Sequence, residues 1–473
     1  MARYDNIFEE VLRIPISEVL FKYGFHPKKC GRSWQLHSPF RKDSSSTSFT
    51  LDDKKNMFRD WVATEFTGNS INFVQYYNNF TYFEACMDIA LKFGIISDDA
   101  HKKILSRKPH SSEIKHYELT YKMVEKPQHL PAEADVLDKI YRIFILLTSL
   151  SDIHKEHLKN VRMLSDEIIE EHMFFTFPSR GILRKFLKEV ENEFGSQEVL
   201  KNVPGFFKRK GEKNFTFNTS KGIGIPIFNM EGKIIGIQIR LDELSKAGLR
   251  YCWFSSGFAD NDETDIEAEC FFGTSSGSPI DVVFPKELKF KGVFITEGKF
   301  KALKIAEQWN CVCLSLQGVS TWSPVINVLN KLPNFINTNK LWTRDEWKIL
   351  KIYSAFDADM SKNVNVYKQL LNMTNKILTD VSPEAKETNF DIQYLYWDVE
   401  IGKGIDDLIN VSTKDELGKR LIRYNKENFD NAYRKLIEKV LELNPELTES
   451  NLSLNITSEE FKEYFDKYFL VEK

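Results

Sequence analysis

The sequence predicts an α/β protein of several domains, with a parallel sheet and flanking helices as its largest part. Three observations predict it. The chain has 473 residues, beyond the size at which one hydrophobic core keeps growing. Residues 291–411 alternate apolar strand, amphipathic helix and apolar strand, the rhythm of βαβ units. Residues 222–243 read GIGIPIFNMEGKIIGIQIRLDE, two β-rich runs parted by Met230-Glu231-Gly232, hence a hairpin.

Composition narrows the function classes. Hydrophobic residues make up 42% and charged residues 28%, an ordinary globular balance that excludes a disordered chain. Lys and Arg number 65 against 68 Asp and Glu, a net charge of -3. That excludes a uniformly basic nucleic-acid wrapper but leaves room for local basic patches. The six cysteines are scattered, with no C-x-x-C pair, so a reducing, cytoplasmic setting is expected. The opening MARYDNIFEE has no apolar signal region, and IFILLTSL (143–150) is too short to span a membrane. No membrane partner is expected.

Taken in order, residues 1–97 form a small α+β unit. Two helical patterns, IFEEVLRI and ISEVLFKYG, precede the polar stretch Arg41 to Thr50 and an aromatic-rich helix. Residues 98–116 are polar and charged and read as a linker. Residues 117–290 begin helical and turn to strands near 216. Residues 291–411 hold the parallel sheet, and 412–473 read as helices rich in Lys, Glu and Asn.

The strands of 291–411 end in acid. GVFITEG closes on Glu297-Gly298, and its helix carries Ala302, Ile305, Ala306 and Trp309 at i, i+3, i+4 and i+7. KIYSAFDAD closes on Asp357 and Asp359. DIQYLYWD closes on Asp398, and GKGIDDLI follows with Asp406 and Asp407. In a parallel sheet the carboxyl ends of all strands lie on one edge and meet in a crevice. Carboxylates gathered there repel unless a cation stands between them, and oxygen-rich clusters suit Mg²⁺ or Mn²⁺. A lone acid after a strand also caps helices, so Asp398 and Asp406 stay open between metal contact and capping.

These residues resemble the Toprim domain, the metal-binding fold of bacterial-type DNA primases and topoisomerases. FITEG is similar to its strand plus Glu-Gly, and AFDAD to its Asp-x-Asp. YWDVEIGKGIDDLI resembles the ending of a variant found in replication proteins of phages and mobile elements. Upstream, HLKNVRMLSDEIIEEHMF, IGIPIFNMEGKIIGIQIRLD and LRYCWFSS resemble successive primase motifs, which places Arg240 and Arg250 at basic positions facing template or triphosphate. The N-terminus resembles the primase zinc-binding domain. Pro39, Phe40, Asp43, Ser48 and Phe49 keep its frame. Ser38 and Arg41 stand where the first Cys and the His belong, and Asp60 and Ala63 lie near the later Cys pair. From those four positions no zinc is expected, the unit being held by its aromatic core.

The resemblance implies a primase-like nucleotidyltransferase that binds single-stranded DNA template and joins ribonucleoside triphosphates into a short primer. Glu297, Asp357 and Asp359 would be catalytic and, with Asp398 and Asp406, would hold two Mg²⁺ or Mn²⁺ ions. Lys301 stands where the family often has an acid. Lys299 and Lys301 either approach phosphates or form a solvated helix face. Lys42, Arg59 and Trp34 lie in a basic, aromatic-rich stretch suited to a strand of DNA, or to an ordinary solvated face. A replicative helicase is a possible partner from the position of the C-terminal extension alone. Two rival readings stand beside the primase: a nuclease using the same acidic site, and a non-catalytic DNA-binding replication protein. His154 and His157, three apart on a helix, read as surface or cap residues. Cys311 and Cys313 read as buried hydrophobes.

Overall fold

The protein is described from a computed structural model, covering residues 4–30, 33–40, 48–60, 67–78, 80–106, 130–245, 249–259, 268–318, 321–339, 341, 349–381, 389–445, 447 and 456–469. Lys42, Arg41, Asp43 and Ala63 lie outside these residues, as does the side chain of Asp359. Two units emerge: Met1–Lys126 with Leu447–Ile456, and Pro127–Glu446 with Thr457–Lys473.

The first unit opens with α1 (Asp5–Arg13) and α2 (Ile16–Lys22). An antiparallel sheet follows in sequential order: β1 (Lys28–Cys30), β2 (Ser33–Leu36), β3 (Phe49–Asp52), β4 (Met57–Asp60) and β5 (Thr67–Gly68). Then come α3 (Ser70–Asn78), α4 (Tyr82–Lys92) and α5 (Asp98–Ser106). The linker expected at 98–116 is therefore helical over its first nine residues. The sheet alternates, so Phe49 and Leu51 of β3 and Phe58 of β4 face the core. Phe40, Phe49, Phe58 and Phe73 meet there, ring centroids 5.4 to 6.2 Å apart. A Thr81–Glu84 capping box starts α4.

The second unit begins with α6 (Ala134–Leu146), α7 (Asp152–Glu156), a single π-helical turn at His157–Val161, and α8 (Asp166–Glu171). Next are β6 (Phe175–Thr176), α9 (Leu183–Phe194), β7 (Phe206–Arg209) and β8 (Phe215–Phe217). The hairpin forms where its turn residues placed it, as β9 (Gly222–Phe228) and β10 (Ile234–Leu241), with β11 (Tyr251–Trp253) and β12 (Cys270–Phe271) beyond. One antiparallel sheet runs β11-β10-β9-β6 and a small one β12-β7-β8. The Phe144 ring lies 5.2 to 5.6 Å from those of Phe206, Phe217 and Phe254, fixing α6 against both sheets.

The largest sheet has six strands in the order β13-β15-β14-β16-β17-β18. These are β13 (Asp281–Val283), β14 (Gly292–Glu297), β15 (Val312–Leu316), β16 (Ile349–Ala355), β17 (Asn389–Tyr396) and β18 (Ile422–Asn425). The four central strands are parallel, and both edges are antiparallel. Helices α10 (Lys299–Trp309), α11 (Val325–Thr338) and α12 (Val364–Asp380) connect them, followed by α13 (Ile405–Asn410), α14 (Lys414–Arg420), α15 (Lys426–Leu443) and α16 (Ser458–Tyr464). The tail read as purely helical thus also supplies an edge strand, β18. The whole is a mixed α/β, multidomain architecture. Among the described residues no helix is long and apolar enough to cross a membrane.

One buried ion pair ties the hairpin to this sheet. Lys299, first residue of α10, lies 3.0 Å from Asp281 of β13, and the two side chains are 1% and 0% exposed. The Lys299 ammonium also donates to the Pro226 carbonyl at 2.9 Å, and the Phe228 amide donates to Asp281 at 2.7 Å. Removing one member leaves a buried charge alone. Lys299→Met is expected to cost about 3–5 kcal/mol in a denaturant unfolding curve. The double change Lys299→Met/Asp281→Leu is expected to recover part of that loss; a single-variant loss below about 1 kcal/mol would contradict the role.

Candidate functional site

The parallel register sets the site. β14 and β16 are neighbours, pairing Thr296 with Ala355, so Glu297 and Asp357 leave the same edge of the sheet side by side. Gly298 follows with φ 84°, a conformation glycine takes without a Cβ penalty. That residue turns the chain from β14 directly into α10 and points the first helical turn at the strand ends.

A cavity of about 320 Å³ opens there. One wall holds Glu297, Lys299, Lys301 and Asp406; the other holds Arg162, Gln238 and Tyr251. Asp357 joins through Lys301, whose ammonium donates to its carboxylate. Lys403 stands 3.8 Å from the same carboxylate. Burial pulls the Lys301 ammonium down, but Asp357, Glu297 and Asp406 outweigh it and hold its affinity for the proton above the ordinary lysine range. Burial raises the Asp406 carboxyl, with Lys301 acting in the opposite sense. The neighbouring Asp407, not Asp406, caps α13, accepting from the Gly404 amide at 3.0 Å. Of the two acids in GIDDLI, therefore, one builds the helix end and the other faces the cavity.

The opposite wall carries one cation, Arg162, with Arg240 behind it. Arg240 and Tyr251 are directly paired across β10 and β11, and Gln238 lies two residues from Arg240 on the same face. Arg162 ends the π-helical turn, followed by Met163 at φ 53°. Its guanidinium lies over Phe300 at 4.8 Å, reaches the Tyr251 hydroxyl at 3.4 Å and stands 4.0 Å from Asp406. The sequence reading passed over Arg162; its signal was its place inside HLKNVRMLSDEII. Burial lowers the Arg240 guanidinium, with Arg162 and Arg250 adding like-charge repulsion. The Nε atoms of both Arg162 and Arg240 are buried without a hydrogen-bond partner. Each leaves a buried N–H donor unmet, a cost that natural structures seldom carry without a reason.

Other expected site residues are placed differently. Asp398 is exposed and accepts from the Glu400 amide at 3.0 Å, the turn-capping alternative. The ammonium of Lys299 is committed to Asp281. Arg250 donates to the carbonyls of Leu241 and Asp242 at 3.3 and 3.0 Å. In the first unit, Trp34 donates to Asp53 at 2.6 Å while Lys29 covers its ring, and Arg59 is exposed on β4. The backbone of Asp359 lies in a 3-10 turn, Ala358–Ser361. His154 contacts Thr176 and Asp242 at 2.8 and 3.0 Å, a satisfied structural histidine. Cys311 and Cys313 are buried.

Three comparisons bear on these observations. Residues 4–104 match the CHC2 zinc finger family. The primase resemblance read from the motifs thus meets an independent match over the N-terminal unit. It also corrects the cofactor expectation, which had Mg²⁺ or Mn²⁺ at the strand ends and no zinc: this unit aligns with a zinc-binding family over about its whole length. The expectation of no zinc rested on four ligand positions, whereas the match runs over residues 4–104. Among the described residues no group of three or more His, Cys, Asp or Glu side chains is set to hold a metal ion. Residues 288–416 match a domain of unknown function (DUF3854). No curated protein matches the chain. Among solved structures, the zinc-binding and RNA polymerase domains of Aquifex aeolicus primase are similar at 18% identity and TM-score 0.42, covering 98% of this chain and 96% of that one. The RNA polymerase domain of Mycobacterium tuberculosis primase is similar at 13% identity and TM-score 0.42, covering 71% and 98%. The E. coli primase catalytic core is similar at 15% identity and TM-score 0.38, covering 68% and 87%.

A pH effect follows from the basic wall. Burial, then Arg240 and Arg162, push His157 down to about 4 from its ordinary 6.5. Between those values the unfolded chain binds a proton that the folded chain refuses, so stability falls as pH drops from about 6.5 to 4. His157→Gln is expected to shrink the drop in melting temperature between pH 7 and pH 4.5. An unchanged drop would contradict it.

Proposed function

We propose that the protein is a primase-like nucleotidyltransferase, joining ribonucleotides on single-stranded DNA. The carrying observation is the cavity itself, where Arg162 stands 4.0 Å from Asp406 with Glu297 on the same lining, Asp357 reached through Lys301 and Arg240 behind Arg162 and Tyr251. A basic wall suits the triphosphate of an incoming nucleotide, and an acidic wall suits the hydroxyl end of the growing primer. In this reading Glu297 accepts the proton of the attacking 3′-hydroxyl. The new oxygen–phosphorus bond forms at the α-phosphorus as pyrophosphate leaves, its charge met by Arg162 and Arg240. The order of motifs from residue 10 to 411 and the match of residues 4–104 support the same class. Template DNA is assigned to the N-terminal unit, with Lys42, Arg59 and Trp34 as its candidate contacts.

One assay tests it. The protein is incubated with single-stranded DNA, labelled ribonucleoside triphosphates and a divalent ion, beside Glu297→Gln and Asp357→Asn. Labelled oligomers are expected, reduced about 10²-fold or more in both variants. DNA fragments without synthesis would replace the proposal with a nuclease. DNA binding with neither activity would leave a non-catalytic replication protein, the reading that the Lys301–Asp357 pair favours.

A further inference from the structure

The acidic wall already contains a cation. Lys301 is 18% exposed and Asp357 12% exposed at the side chain, and the two form an ion pair inside the crevice. Glu297 and Asp406 line the same cavity as Lys301. Its side chain runs along Gly404: a Cβ there would stand 2.9 Å from Lys301 Cε and press on the Asp406 carboxylate. A side chain at 404 would therefore displace the lysine or the Asp406 carboxylate from its place. The position is also costly for a positive charge. Lys301 is the third residue of α10, in the first turn, where the helix dipole disfavours cations. A lysine at such a position needs the carboxylates in front of it, and those carboxylates need a cation.

Resting on the reading of this crevice as the reaction site, we propose that Lys301 is its resident cation, standing where a divalent ion would otherwise bind and competing with such an ion for Asp357. A divalent ion enters only by breaking the Lys301–Asp357 pair. The crevice of this protein thus differs from an open carboxylate cluster, which offers its oxygens to an ion without displacing anything.

The test measures binding, not turnover. Mn²⁺ serves as a paramagnetic probe, its free signal followed by electron paramagnetic resonance in the full chain. Wild type, Lys301→Gln, Lys301→Met and Lys301→Gln/Asp357→Asn are compared. Circular dichroism and thermal melting accompany each, and the two neutral replacements guard against one failing to fold. Lys301→Gln and Lys301→Met are expected to bind Mn²⁺ about tenfold more tightly or better, an ordinary size for coupling between two bound groups. The gain is expected to vanish in the double variant. Equal or weaker binding in the folded single variants would overturn the competitor role while leaving the crevice as reaction site. A gain that survives Asp357→Asn would overturn the assignment of the pair. Primer synthesis, read separately with Glu297→Gln, decides the reaction-site reading on its own.

Discussion

The buried contact between Lys299 and Asp281 governs what the rest of the second unit can do. It joins the first turn of α10 to strand β13 and, through the Pro226 carbonyl and the Phe228 amide, to the far end of β9. Two sheets that are separate in their strand ladders are thereby joined through side chains. The strand ends of the parallel sheet supply carboxylates, and the hairpin supplies arginines. The tie adds a polar anchor to the apolar core that Ile223, Ile225 and Ile227 share with Val283, Phe294 and Phe300. Charges this buried cost several kcal/mol to desolvate, so their worth lies in the position they enforce rather than in net stability.

α10 uses its first turn twice. Lys299 points back into the join, and Lys301, two residues on, points into the crevice. Two lysines at a helix N-terminus oppose the dipole, and each is met by an aspartate, Asp281 in β13 and Asp357 just past β16. Structure and chemistry at this edge are therefore coupled. The residues that hold α10 in place are neighbours of those that present its charge to the cavity. Arg162 extends the same logic, stacked on Phe300 of α10 and reaching Tyr251 of β11.

Much of this was legible in sequence for a definite reason. Parallel strands buried on both faces read as short apolar runs, and whatever follows each run must sit on one edge; hence the placement of Glu297 and Asp357 at one sheet edge was legible. The hairpin was legible from its turn residues. The destinations of Lys299 and Lys301 were not, because their partners lie 18 residues before and 56 residues after them. Spacing on a helix shows a face, not what meets it. Arg162 was missed because a π-helical turn breaks the 3.6-residue period that marks helix faces. β18 was missed because Ile422–Asn425 is a short half-exposed edge strand among helix formers. The zinc expectation failed because it weighed four ligand positions against a pattern spread over about a hundred residues.

Arg162, lining the cavity, and Arg240 behind it are the cations to which an incoming triphosphate would bind. Equilibrium binding of a labelled ribonucleoside triphosphate to the full chain, at fixed salt, tests this assignment most directly. Binding weakened about tenfold or more by Arg162→Ala and by Arg240→Ala, with melting temperatures retained, is the predicted result. Unchanged affinity in both folded variants would contradict it.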